Sequence, residues 1–153
     1  NASYMPSLPV QPRPRGNGVT PRGLAAQRPI VVIAAIVERE GLILLTQRLQ
    51  GSHLAGYWEF PGGKLEPGEN HRQCLKREML EELDATVQVG PQVHSTRFAY
   101  HDRTVELYFY DCILTGAPTP LLGQQIRWVE RTELERLQVP PADYEVVKLL
   151  ANS

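Results

Sequence analysis

Apolar residues first gather at 30–37, an unbroken run of eight in which β-branched types dominate. A strand has this pattern when both of its faces are covered, so this segment is expected in the middle of a layered domain. Glu38, Arg39, Glu40 and Gly41 interrupt the run, and 42–47 returns as a second strand, giving a predicted hairpin. The stretch 51–68, with its Gly, His and Trp residues, shows no clear period and is expected to be a loop. Between 70 and 83 neither Pro nor Gly intervenes, and Leu75, Met79 and Leu83 recur every four residues, which predicts a helix. Further on, 87–93 and 105–113 are expected strands, the latter alternating through Val105, Leu107, Phe109 and Asp111. A shorter strand is predicted at 126–129. Thr132 and Glu135 have capping-box spacing and should open a short helix. Pro141 suits the first turn of a last helix through Tyr144, Val147 and Leu150. Strands dominate the middle, with helices between and after them. The class is α+β or a mixed-sheet α/β/α sandwich.

The pattern differs before residue 29. Six of the thirteen prolines fall in 1–29, and 1–28 carries Arg13, Arg15, Arg22 and Arg28 with no acid. This is expected to be an extended, solvated tail, with 29–153 as the domain; Asn1, Ala2 and Ser3 resemble cloning residues. The whole chain has a formal charge of −1, which hides +4 in the tail and 12 bases against 17 acids in the rest. Such a balance argues against an electrostatic nucleic-acid binder, so nucleic acid is not the expected partner. No apolar run nears the roughly 18 residues of a membrane span. Cys74 and Cys112 are far apart and lack metal-ligand spacing, so a reducing, cytoplasmic setting is expected.

The predicted helix carries the informative chemistry. Glu78, Glu81 and Glu82 stand at i, i+3 and i+4, which puts three carboxylates on one face. Like charges at those spacings cost a helix about 0.2–0.5 kcal/mol per pair, and acids near its C-terminal end oppose the macrodipole. A bound cation would offset both. The preceding Phe60-Pro61-Gly62-Gly63-Lys64 allows backbone to come close to a ligand, because paired glycines reach conformations closed to other residues. Carboxylates beside an accessible carbonyl suit a hard cation such as Mg²⁺. The four histidines, His53, His71, His94 and His101, are too scattered to suggest a zinc site.

Residues 63–85, GKLEPGENHRQCLKREMLEELDA, resemble the Nudix box, G-x5-E-x7-R-E-U-x-E-E-x-G-U with U apolar. Gly63, Glu69, Arg77, Glu78, Met79, Glu81 and Glu82 fall on their required positions. Asp84 stands where the family usually has Gly; Asp tolerates the left-handed turn better than most residues, so the helix end is expected to survive. The likeness covers roughly 30–151, is greatest to the MutT-like branch, and implies a central mixed sheet flanked by helices. It also implies hydrolysis of a nucleoside triphosphate to monophosphate and pyrophosphate with Mg²⁺ or Mn²⁺. An oxidised substrate such as 8-oxo-dGTP would make this nucleotide-pool sanitation.

By the same resemblance, Glu78, Glu81 and Glu82 with the Gly62 carbonyl are the expected metal ligands, one glutamate doubling as base. Arg48, His53 and Lys64 are expected at phosphate, Arg48 through a guanidinium fork. Gly63, Glu69 and Arg77 are expected to hold the box together. Asp143, Phe98, Tyr100 and Tyr108 are candidates for the base, with helix capping as the plainer role of Asp143. Relatives commonly carry Glu immediately before a Gly-Gln pair; here Leu122 precedes Gly123-Gln124. Two alternatives stay open: a Nudix hydrolase of ADP-ribose or a dinucleoside polyphosphate, and a non-catalytic lesion-recognition module like that attached to adenine glycosylases.

Overall fold

The computed structural model describes residues 28–153, so the expected tail lies, apart from Arg28, outside the described residues. In chain order the elements are β1 (Ile30–Arg39), β2 (Leu42–Gln47), β3 (Trp58–Glu59), β4 (Gly62–Lys64), α1 (His71–Leu83), β5 (Thr86–Ala99), β6 (Thr104–Thr115), β7 (Ile126–Glu130), two 3₁₀ segments (Arg131–Arg136 and Pro141–Asp143) and α2 (Tyr144–Ala151).

Strand alternation explains why 30–37 is apolar throughout. Val32, Ala34 and Ile36 enter one core, shared with Phe60, Leu107, Phe109, Leu134 and the α2 residues Val146, Val147 and Leu150. Ile33, Ala35 and Val37 enter the other, against Cys74, Leu75, Met79 and Leu83 of α1. The result is helix, sheet, helix: the expected α+β sandwich with a mixed sheet. β1 pairs in parallel with β6 from Ile30↔Val105 to Val37↔Cys112, and antiparallel with β4. β5 extends the sheet antiparallel to β6. The hairpin of β1 and β2 is paired only at Glu38↔Ile43 and Arg39↔Leu42; β2 then joins β3 and β7.

α1 forms as its sequence directs. Asn70 accepts from the Gln73 backbone N–H, and the Gln73 side chain accepts from Asn70 N–H, both at 2.8 Å, which satisfies two orphan donors at the start. Asp84 ends the helix at φ 50°, ψ 42°, the left-handed turn expected of it.

Several elements differ from the sequence expectation. β5 extends to Ala99 because irregularities between Val89 and His94 break its two-residue period and conceal the second half. The loop 51–68 contains β3 and β4. The segment after β7 is 3₁₀, and its capping box is Glu130 with Glu133, two residues before Thr132 and Glu135, because β7 runs directly into it. Pro141 opens a 3₁₀ turn that passes into α2 at Tyr144.

Candidate active site

β4 and α1 meet through the two glycines. At Gly62, φ is +156° and a Cβ would collide with the Ile33 carbonyl of β1, so only glycine lets the strand pair there. A Cβ at Gly63 would collide with the Glu78 carboxylate instead. That obstacle is the end of a flexible side chain. Gly63→Ala is therefore expected to fold while displacing Glu78, lowering kcat/KM on the order of 10²-fold. Wild-type activity with an unchanged melting curve would contradict this.

Arg77 organises the outer side of the box. Its Nε and Nη2 donate to the two Glu69 oxygens at 2.6 and 3.0 Å, Nη1 to Glu78 at 2.9 Å and Glu81 at 3.2 Å, and Nη2 also to the Lys64 carbonyl at 3.0 Å. The structure separates the three helix glutamates into two groups. Glu78 and Glu82 are 5% and 7% exposed and face each other one helical turn apart, whereas the Glu81 side chain is 56% exposed and held by Arg77. Among the described residues no three His, Cys, Asp or Glu groups converge.

Burial, the larger cause, raises the Glu82 carboxyl far above the ordinary 4.5, and the charge of Glu78 adds to it. Glu78 is also raised, chiefly by burial, with Arg77 and the hydrogen bond from Glu82 opposing. Burial and mutual repulsion thus favour keeping a proton on the metal-free pair. Carboxylates raised this way support the fold fully below their ordinary value and lose that support as pH rises. Metal-free protein should therefore melt at lower temperature as pH climbs from 5 to 9. Mg²⁺ binding near pH 7 should release about one proton. Calorimetric Mg²⁺ titration in two buffers of different ionisation enthalpy measures it; identical heats would contradict a protonated pair.

Glu78 Oε1 and Glu82 Oε2 are buried with no hydrogen-bond partner. Two hard oxygens on one helix face, desolvated and uncompensated, fit Mg²⁺ or Mn²⁺ completed by carbonyl, water and phosphate oxygens.

A second group of expected residues meets beyond β3. Tyr100 packs against Phe98 (ring centroids 4.6 Å apart) and edge-on to His53 (6.0 Å), and its hydroxyl accepts from Ala142 N–H at 3.3 Å. Asp143, fully buried, makes no side-chain cap to α2, so the plainer role does not hold. Burial first, and then the Asp143 charge, raise the Tyr100 hydroxyl. Tyr108 is not in this group: it stacks on His71 on the α1 side of the sheet. Its neighbour Phe109 holds the face it was expected to share.

Arg48 also differs from expectation. Its side chain has no exposure; Nε donates to the His53 carbonyl at 2.6 Å and Nη1 to Glu59 at 3.0 Å. A buried guanidinium needs such partners, and here they fix the 51–59 loop. Lys64, by contrast, is exposed at the end of β4. Glu59 is the functional candidate that sequence reasoning passed over. It is buried, which pushes it up to about 7 against the lowering effect of Arg48, and its charge contributes to raising Glu82. The available signal was an acid set between Trp58 and Phe60, both of which pack against the same core. Glu59 and Arg48 link the two groups electrostatically, since Arg48 also acts on Tyr100. Leu122 is 37% exposed in a segment hydrogen-bonded to the end of α1, through Thr119 N–H to the Leu83 carbonyl (2.8 Å) and Leu121 N–H to the Glu82 carbonyl (3.0 Å).

Comparison with known proteins agrees with this architecture. Residues 32–149 match the NUDIX domain family. The chain is 38% identical over 127 residues to the 8-oxo-dGTP diphosphatase of Haemophilus influenzae, covering 80% of this chain and 92% of that one. It is also 38% identical over 120 residues to the CTP pyrophosphohydrolase of Escherichia coli, covering 78% and 89%. Among solved structures, the E. coli ORF135 protein superposes with a TM-score of 0.73 at 37% identity, over 81% of this chain and 89% of that chain. No helix among the described residues is long and apolar enough to cross a membrane. A box closed by Arg77, a desolvated glutamate pair behind paired glycines and a match along most of the chain make this protein a Nudix hydrolase, related to the MutT-type nucleoside triphosphate pyrophosphohydrolases.

Proposed function

We propose that the enzyme hydrolyses a nucleoside triphosphate to the monophosphate and pyrophosphate with Mg²⁺ or Mn²⁺, selecting bases that present an N–H to Asp143. The observation that carries this reading is the buried Asp143 beside Tyr100, linked through Arg48 and Glu59 to the desolvated Glu78–Glu82 pair. One end is built for a base edge, the other for cations and phosphates. When bound, divalent cations would supply charge for the phosphate oxygens and a more acidic attacking water. Glu78 and Glu82 would hold them, with the Gly62 carbonyl as a main-chain ligand and Glu81 as a further carboxylate at the rim. Glu82 is the carboxylate that would accept the water proton. Lys64 and His53, both exposed, meet the phosphates, while Glu69, Arg77 and Gly63 keep the box in shape.

An ionised Asp only accepts hydrogen bonds. On the edge that carries N7 in purines, cytosine and adenine present exocyclic amino groups, whereas guanine presents acceptors at N7 and O6 and thymine an acceptor at O4. The donors guanine N1–H and N2–H and thymine N3–H lie on the opposite, Watson–Crick side; Asp143 is proposed to meet the first edge. Oxidation of guanine at C8 turns N7 into an N–H donor. The same aspartate therefore accommodates cytosine and 8-oxoguanine, the two bases named among the relatives. In the second case the reaction removes a mutagenic precursor from the nucleotide pool. Against dCTP, dATP, 8-oxo-dGTP, dGTP and dTTP, wild type should favour the first three in kcat/KM. Asp143→Asn should narrow the dCTP-to-dGTP ratio by about tenfold or more, the equivalent of one base-edge contact. An unchanged ratio would remove Asp143 from base selection.

A further inference from the structure

We infer that Gln124 is a positioning residue for Glu82, tying the 119–124 segment to the residue that carries the metal carboxylate. This rests on the metal reading of the Glu78–Glu82 pair and concerns a residue the proposed mechanism does not use.

Glu82 sits one residue from the end of α1, where helix carbonyls have no intrahelical donor and the last turn frays. The turn at Asp84 satisfies only the carbonyls just behind it: Asp84 N–H reaches the Leu80 carbonyl at 3.1 Å and Ala85 N–H the Met79 carbonyl at 3.2 Å. The Glu82 carbonyl is satisfied from outside the helix. It accepts from Leu121 N–H at 3.0 Å and from the Gln124 side-chain amide at 3.1 Å, which occupies both of its acceptor directions. The other end of the same amide accepts from Leu122 N–H at 2.9 Å. Gln124 is 6% exposed, so the bracket is shielded from water. Losing it would leave buried polar groups unpaired.

A carboxylate that would act with Glu78 in holding a cation needs its own backbone fixed. Gln124 does that here, at the level of the Glu82 main chain. Leu122 occupies the position at which relatives often bring a further glutamate, so in this chain the segment contributes geometry to the site rather than charge.

The test reads metal binding without nucleotide, by the electron paramagnetic resonance signal of free Mn²⁺ over purified protein. Gln124→Met, which keeps length and volume, should weaken Mn²⁺ binding about tenfold, the loss of one buried hydrogen bond. At saturating Mn²⁺ its kcat should stay within about threefold of wild type. Gln124→Glu keeps an acceptor for Leu122 N–H but has no donor for the Glu82 carbonyl. It should also weaken binding, although added negative charge alone would tighten it. In wild type, Mg²⁺ should slow hydrogen exchange at the Thr119 and Leu121 amides, a readout that needs no variant to fold. Wild-type Mn²⁺ affinity in both variants, or exchange indifferent to Mg²⁺, would overturn the inference. Wild type that binds no Mn²⁺ would overturn the metal reading with it, whereas normal Mn²⁺ binding without triphosphate hydrolysis would count against the proposed substrate alone.

Discussion

Glu82→Gln should lower kcat by about 10³-fold at saturating Mg²⁺, because the substitution removes a metal oxygen's charge and the proposed base together. Stability should move the other way. Glu82 is buried against Glu78, and burial with the neighbouring charge raises its carboxyl, so ionisation opposes folding. A neutral amide of the same shape removes that opposition. The metal-free variant should melt about 2–5 °C above wild type at pH 8, with the gap closing toward pH 5 as the unfolded chain's glutamate also takes up its proton. Steady-state kinetics and melting curves on one preparation check both halves. A glutamate that merely decorated the surface would change neither.

The second large effect is on the fold. Arg48→Met should cost about 3–5 kcal/mol in urea unfolding, the usual result of removing one partner from a buried ion pair. The His53 carbonyl loses its donor and Glu59 its counter-charge. Because Arg48 is what holds Glu59 down to about 7, the variant should carry a neutral Glu59 at physiological pH. The result also separates two roles for this arginine. An exposed phosphate-binding guanidinium would leave the unfolding midpoint unchanged and raise KM; a buried clamp lowers the midpoint.

Which features were legible in the sequence follows from how local their causes are. The apolar run 30–37 announced a strand with two covered faces, and β1 feeds both cores. Asn70, the Leu75–Met79–Leu83 spacing and Asp84 fix α1 within a few residues of themselves. The acidic face was visible because i and i+4 share a side in any helix, and Glu78 and Glu82 do meet. Glu81, at i+3, sits at the rim, where Arg77 and solvent compete for it. What was hidden depends on distant partners. Arg48 is expected at phosphate from the sequence because nothing near it shows that the 51–59 loop folds over it. Tyr108 looked equivalent to Phe98 until register placed Phe98 opposite Val105, on the face of Phe109 and not of Tyr108. The irregularities in β5 broke the period from which its length was inferred, and Gln124 gains its role only when 119–124 reaches the end of α1.

The central claim is metal-dependent cleavage of a triphosphate between its α- and β-phosphorus atoms by the Glu78–Glu82 pair. Phosphorus NMR of dCTP and of 8-oxo-dGTP incubated with the enzyme and Mg²⁺ tests it directly. The predicted result is monophosphate and pyrophosphate in equal amounts, lost with chelator and with Glu82→Gln. Orthophosphate with a diphosphate, or unchanged substrate from protein that instead binds lesion-containing duplex DNA, would contradict it.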